Sequence, residues 1–552
     1  MEKRHKDRKF MTRASAGYFL PGLKAGLFAL ALGGLAAGTI AGAAQADIPA
    51  AFRQAVAEAA STDDAVARFY RESGYQAIWT GPDEASRQRR SALLAALNET
   101  RAHGLPDRSA EVSRLVQLMR QARTTRDFGM AEAALSKALV DYATDLQTGL
   151  LVPSRIDDGL VRKKHTVDGA SFLAGIRDTQ PYAFMRSLVP ASPQYRGLMR
   201  EKLRLEQVLA AGGWGPAVQA KKLEPGDQGP AVIALRNRLM AMGYLQRSAA
   251  RSYDAALEQA VQRFQADHGL ETDGVAGAGT LAEVNKPVSS RLKSVIVAME
   301  RERWLTPDRG ERHILVNQTD FTAKIVDNGD VTFETRSVIG KNTHDRRSPE
   351  FSDEMEHMVI NPSWYVPRSI ITKEYLPKLR NNPNAVGHIQ ITDRRGRVVN
   401  RGSADFSQYT ARNFPYSMRQ PPSRSNALGL VKFMFPNKYN IYLHDTPQKS
   451  LFAREVRAFS HGCIRLAQPF EFAYALLARQ TEDPKAFFHR ILNSGRETKV
   501  DLEQKVPVHI IYRTAVVSSK GRAEFRRDVY GRDAKIWAAL ERAGVVLPSV
   551  QG

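Results

Sequence analysis

Cysteine is all but missing from this 552-residue chain, where Cys463 is the only one. One thiol cannot close an intramolecular disulfide, so no covalent framework supports the fold. Acidic residues are in deficit too: 58 Asp and Glu stand against 80 Lys and Arg, for a formal charge of +22. Beyond residue 46 there is no uninterrupted apolar run long enough to cross a bilayer. What is there excludes a globally disordered chain, since 43% of residues are hydrophobic and 25% charged. The length is too great for one core and predicts about three or four domains.

The first residues read as a secretion leader. A basic stretch ends near Arg13, an apolar stretch runs from Ala25 to Ala43, and Ala44-Gln45-Ala46 fits a small-residue cleavage site before Asp47. Cleavage after Ala46 is expected; an uncleaved membrane anchor is the alternative. The expected location is periplasmic, across the inner membrane. Losing the leader's seven positive and two negative residues leaves +17, still strongly basic. Such a surface favours an acidic envelope polymer or an anionic membrane face. Nucleic acid is not expected as a partner of a secreted chain. A generally basic surface with no particular partner is the other reading, and both stay open.

A secreted lone thiol is a liability unless its chemistry is used, which makes Cys463 a candidate nucleophile. Its context is Ser460-His461-Gly462-Cys463-Ile464-Arg465. Cysteine attacks as the thiolate, and a nearby histidine can take the proton, form an ion pair and lower the thiol's pKa. His444 closes an expected strand, Asn440-Ile441-Tyr442-Leu443, and is favoured as the base. His461, two residues from the thiol, is expected beside it as a supporting residue. Asp445 can orient His444 through its carboxylate or its backbone carbonyl, and the residues alone leave both open. Gly462 permits an unusual backbone, and the amides of Gly462 and Cys463 offer an oxyanion hole. A zinc site of His444, His461 and Cys463 is disfavoured by its tight spacing and the lack of a second cysteine.

The pattern changes along the chain. Residues 47 to about 220 carry helical periodicity, with Val66, Phe69 and Tyr70 on one face. Residues 223–286 form a separate helical unit in which Asp254 is placed to cap a helix holding Val261 and Phe264. From residue 311 the period becomes alternating, and Asp327-Asn328-Gly329-Asp330 is a hairpin turn. A long polar connection from Thr372 to Asn426 has the length of a functional lid.

Two stretches resemble known families. "GDQGPAVIALRNRLMAMGYL" with "YDAALEQAVQRFQADHGLETDGVAGAGTLAEVN" is similar to the small three-helix peptidoglycan-binding domain of cell-wall enzymes. A helical unit that only packs against its neighbours is the alternative there. His444, fifteen intervening residues, then Ser-His-Gly-Cys resembles the signature of YkuD-type L,D-transpeptidases. Further stretches, among them "INPSWYVPRSI", "NALGLVKFMFPN" and "DVYGRDAKI", are similar to the large YcbB-like subgroup. Arg465 departs from the Asn of many smaller members and is taken as a trait of that subgroup.

The resemblance implies an α+β multidomain chain: a mostly β YkuD-type catalytic domain with an inserted capping subdomain, a helical scaffold domain and a three-helix peptidoglycan-binding domain. The implied organisation is a signal peptide (1–46), scaffold (47–222), peptidoglycan-binding domain (223–286), scaffold helix or linker (287–310), catalytic domain (311–515, capping insertion 372–426) and C-terminal segment (516–552). It implies that Cys463 attacks the L-centre carbonyl of a tetrapeptide stem, releases D-alanine and passes the acyl group to a second stem as a 3–3 cross-link, and that carbapenems acylate Cys463. It implies no cofactor and no metal. Ser460, Arg465, Trp364, Tyr365 and Arg368 would line the groove for peptidoglycan stem peptides and glycan. Core packing for Trp364 and Tyr365, and a structural salt bridge for Arg465, remain open. So do an L,D-carboxypeptidase with water as acceptor, attachment of a protein lysine to the stem, and a non-catalytic peptidoglycan-binding protein.

Overall fold

The computed structural model describes residues 48–305, 309–518 and 521–548. The expected leader lies outside them. Among the described residues, no helix is long and apolar enough to cross a membrane.

The first described residues are helical. Asp63 caps Asp64–Glu72 by accepting the Val66 N–H, and Val66, Phe69 and Tyr70 of that helix are buried. They pack with Leu93, Leu97 and the long helix Thr125–Thr148. The buried Glu132 of that helix accepts the amides of Trp79 and Thr80, so its carboxylate ties an extended loop to the bundle. Helices Pro230–Ala241, Ala255–Asp267 and Ala278–Val284 form a small unit with a core of its own, and Asp254 caps the second of them as its position suggests. Helix Val288–Trp304 is buried along most of its length, between Tyr195 and Leu198 on one side and Ile536, Trp537 and Leu540 of helix Arg532–Arg542 on the other. Helix Arg532–Arg542 thus belongs to the same core as this central helix.

Fourteen strands follow among the described residues: β1 Arg312–Asn317, β2 Thr322–Asp327, β3 Asp330–Gly340, β4 Phe351–Ile360, β5 Trp364–Tyr365, β6 Gln390–Thr392, β7 Ser417–Gln420, β8 Val431–Met434, β9 Leu443–His444, β10 Ala458–Ser460, β11 Ile464–Leu466, β12 Thr498–Ile511, β13 Ala515–Val517 and β14 Ala523–Phe525. Nine form one sheet in the order β10-β3-β11-β9-β8-β4-β12-β1-β2, and β2 pairs with β3, so the ladder closes on itself. Inside lie Ile314, Met358, Phe433, Leu443, Ile464 and Ile510. Helices Pro469–Leu477 and Pro484–Asn493 add Phe472 and Phe488 to this core. The β2–β3 hairpin turns at Asn328 and Gly329, whose φ values of 51° and 92° are those its residue types favour.

The insertion is a subdomain with its own sheet, β5-β7-β6, and its own core, including Trp364, Leu379, Ile391 and Phe406. Its structure starts at Trp364, ahead of residue 372, because the chain leaves the barrel directly after β4. The expected strand over Asn440–Leu443 is shorter in fact, and only Leu443–His444 pair as β9. Asn440 sits at φ 53° and the Asn437 side chain bonds both the N–H and the C=O of Ile441, so this stretch is a turn.

Candidate active site

β9 and β11 run parallel and side by side, with Leu443 opposite Ile464 and His444 opposite Arg465. Leu443 and Ile464 are fully buried in the barrel core. Alternation along each strand therefore turns Tyr442, His444, Cys463 and Arg465 to the other face. All four line one cavity of about 800 Å³ between the barrel and the inserted subdomain. The tight spacing in the two motifs thus becomes a two-by-two patch of reactive side chains.

His444 is buried, and its Nδ1 lies 2.5 Å from the Asp445 carbonyl oxygen. A carbonyl only accepts, so Nδ1 carries the proton in this contact, and the Leu428 carbonyl also bonds the ring. The orienting group is thus the Asp445 backbone and not its carboxylate. The carboxylate is spent elsewhere, accepting the amides of Leu430 and Thr446 and the Lys449 ammonium.

The half-buried Cys463 thiol donates to the Asn440 carbonyl at 3.4 Å. Burial pushes the thiol up to about 11, opposed by hydrogen bonding from the Tyr442 amide and phenol and by the Arg465 charge. Burial, seconded by Arg465, pulls His444 down to about 3. Both directions oppose the expected thiolate–imidazolium pair in the free site. They favour the proton on sulfur and a neutral imidazole, because burial penalises either charge.

The other expected site residues divide. His461 does not support the thiol; its Nε2 meets the Glu374 carboxylate of the insertion at 2.6 Å, and Glu374 also holds Arg346 at 2.7 Å. The weighed zinc set is thereby split, and no cluster fit to hold a metal occurs among the described residues. Ser460 is buried but lines the cavity, as expected; its Oγ donates to the Cys463 carbonyl at 2.5 Å and accepts the Gly462 N–H at 3.1 Å. The Gly462 amide is thus occupied and is no oxyanion donor. Gly462 is needed for another reason: its φ is 118°, in the region side chains avoid.

Arg465 has no carboxylate partner among the described residues. It donates to Gln448 at 2.6 Å, and its buried Nε is unpaired, so a structural salt bridge is not its role. Trp364 packs in the insertion core while one edge lines the cavity, and Tyr365 is 66% exposed at the rim. Arg368 lies outside the cavity, over the Phe414 ring and bonded to the Ala411 carbonyl.

Comparison with known proteins fits this layout. Residues 311–510 match the family described as YkuD, an L,D-transpeptidase catalytic domain. Residues 64–201 match a "Scaffold domain" and 228–283 a "Putative peptidoglycan binding domain". A Haemophilus influenzae protein described as "Putative L,D-transpeptidase" is 34% identical over 244 residues, 44% of this chain and 48% of that protein. The chain thus spans about half the length of the curated relative it matches. Among solved structures, an L,D-transpeptidase fragment from Xylanimonas cellulosilytica shares 16% identity over 54% of this chain and 100% of its own, with a TM-score of 0.16. One from Stackebrandtia nassauensis shares 14% over 54% and 97%, with a TM-score of 0.19. Likeness at that level carries nothing further for this chain.

In the cavity, sequence reasoning missed Tyr442 and Glu374. Tyr442 stands two residues before His444, and their rings meet edge-on at 5.6 Å. The same alternation that places His444 would have found it. Glu374 leaves no local sign, since its partners lie 28 and 87 residues away.

Proposed function

We propose that the chain is a peptidoglycan L,D-transpeptidase of the YcbB-like subgroup, acting outside the cytoplasm. The reading is carried by the nucleophile-and-base patch, Cys463 with His444, at the floor of a peptide-sized cavity in a YkuD-type domain. The stem's carboxylates are drawn toward Arg465, the cavity cation without an acidic partner among the described residues. Cys463 Sγ attacks the L-centre carbonyl of a tetrapeptide stem while its proton passes to His444 Nε2. The C–N bond to D-alanine breaks, His444 returns the proton to the leaving amine, and a thioester remains. The side-chain amine of a second stem attacks that thioester, loses a proton to His444, and regenerates the thiol with a 3–3 cross-link. With the Gly462 amide occupied, the Cys463 amide and the Tyr442 phenol serve the forming oxyanion. Peptidoglycan as substrate is supported by the match over 228–283. Carbapenems would acylate the same sulfur.

Defined tetrapeptide muropeptides, read by mass spectrometry, test this. Cross-linked dimers with free D-alanine are expected. Tripeptides alone would make the chain an L,D-carboxypeptidase, and unchanged substrate would leave a wall-binding protein.

A further inference from the structure

The stretch Asp528–Asp533, within "DVYGRDAKI", lies outside the matched catalytic residues 311–510, and nothing so far gives it a role. In space it stands directly behind the nucleophile. Ser348 is fully buried, and its Oγ donates to the Gly462 carbonyl at 2.6 Å while accepting the Gly340 N–H at 3.0 Å. Tyr530 Oη donates to the Gly340 carbonyl at 2.6 Å and accepts the Ser348 N–H at 3.3 Å. Arg532 Nη2 donates to the Ser348 carbonyl at 2.9 Å, and its Nη1 meets Glu350 at 3.2 Å. Glu350 also takes Arg301 of the central helix Val288–Trp304 at 2.8 Å. Tyr530, Arg532 and Glu350 are each at most 2% exposed. Gly340 has no room for a side chain, because a Cβ there would fall 1.9 Å from the Arg346 carbonyl oxygen.

The consequence follows from the planar peptide. The Gly462 C=O and the Cys463 N–H belong to one rigid trans unit and point in opposite directions. Whatever holds the carbonyl oxygen aims the amide. Gly462, at φ 118°, supplies no preference of its own for that direction. The geometry assigns Ser348 as a positioning residue that aims the Cys463 N–H at the substrate carbonyl, with Tyr530 and Arg532 holding Ser348 from the C-terminal segment. This rests on the acyl-transfer reading above. It makes a segment beyond the catalytic domain, and through Glu350 the central helix, part of the active site's support.

Two reactions of the lone thiol separate this role from simple folding support. Acyl transfer needs an oxyanion donor, whereas alkylation of the sulfur by iodoacetamide forms no oxyanion. For Ser348→Ala in the full chain, kcat for dimer formation from tetrapeptide muropeptides should fall about 30-fold or more, approaching the roughly 100-fold of a lost oxyanion donor. KM and the iodoacetamide rate at fixed pH should stay within about twofold. Tyr530→Phe, which deletes one hydroxyl, should show the same split with a smaller loss in kcat. Unchanged kcat in both variants would overturn the assignment. So would equal losses of kcat and alkylation, or a loss matched by the unfolded fraction on melting, since either is plain destabilisation. A wild-type protein that forms no acyl product counts against the transpeptidase reading itself, and is told apart because it precedes any comparison of variants.

Discussion

The protonation state of the free site makes a sharp prediction about Cys463 alkylation. Iodoacetamide reacts with the thiolate, so the rate follows the fraction ionised. With the thiol raised to about 11 by burial, thiolate at pH 7 is about 300-fold scarcer than for an ordinary cysteine at 8.5. The observed rate should rise about tenfold per pH unit from pH 6 to pH 10, with no plateau in between. An imidazolium-paired thiolate behaves oppositely, reacting at a constant rate from about pH 5 upward. Arg465 opposes the rise, so Arg465→Gln should move the profile to still higher pH, and Tyr442→Phe should do the same by removing the phenol. Because the chain has one cysteine, the label reports on this site alone. A rate at pH 6 equal to that at pH 9 would refute the neutral resting pair. The chemistry it supports is deprotonation coupled to attack, with substrate in place, and no standing thiolate.

Three further outcomes follow from the fold. Gly462→Ala forces a side chain onto φ 118° and brings its Cβ to 3.3 Å from Ile441; it should cost about 1–3 kcal/mol in urea unfolding and abolish cross-linking. Glu350→Gln leaves the buried Arg301 and Arg532 short of their shared carboxylate, and should cost about 3–5 kcal/mol by the same measurement. Burial lowers His103 to about 4, His444 to about 3 and His509 to about 4. Each is a base whose folded value lies below its unfolded one, so as pH falls the unfolded chain takes up protons first. Stability present above about pH 6.5 is then lost from there downward, by about 2 kcal/mol per histidine at pH 5; a melting temperature constant between pH 7 and pH 5 would contradict this.

Much of the site was legible because its parts are close in sequence. His444 ends β9 and Cys463 immediately precedes the parallel β11, and a fixed spacing with a glycine before the thiol is how such a pair shows itself. The hairpin at Asp327–Asp330 and the cap at Asp254 are local in the same sense. What stayed hidden depends on distant partners. Ser348 lies 114 residues from Gly462 and 182 from Tyr530, and nothing around it in sequence predicts either contact. Arg368 was placed in the groove by its type but packs against Phe414, and Ser460, though it lines the cavity, spends its hydroxyl on the backbone of its own loop. The Asp445 ambiguity had the same origin, since the carboxylate's engagement with Leu430 becomes visible only once β8 and β9 pair.

The proposed activity requires one sulfur to become an acyl carrier. Tetrapeptide muropeptide incubated with the purified chain, quenched in acid and digested, should give a Cys463 peptide carrying the stem as a thioester, with one free D-alanine per acyl group. Dimers should form in wild type and in neither Cys463→Ala nor His444→Ala. Dimers formed by Cys463→Ala, or an acyl group found on any other residue, would contradict it.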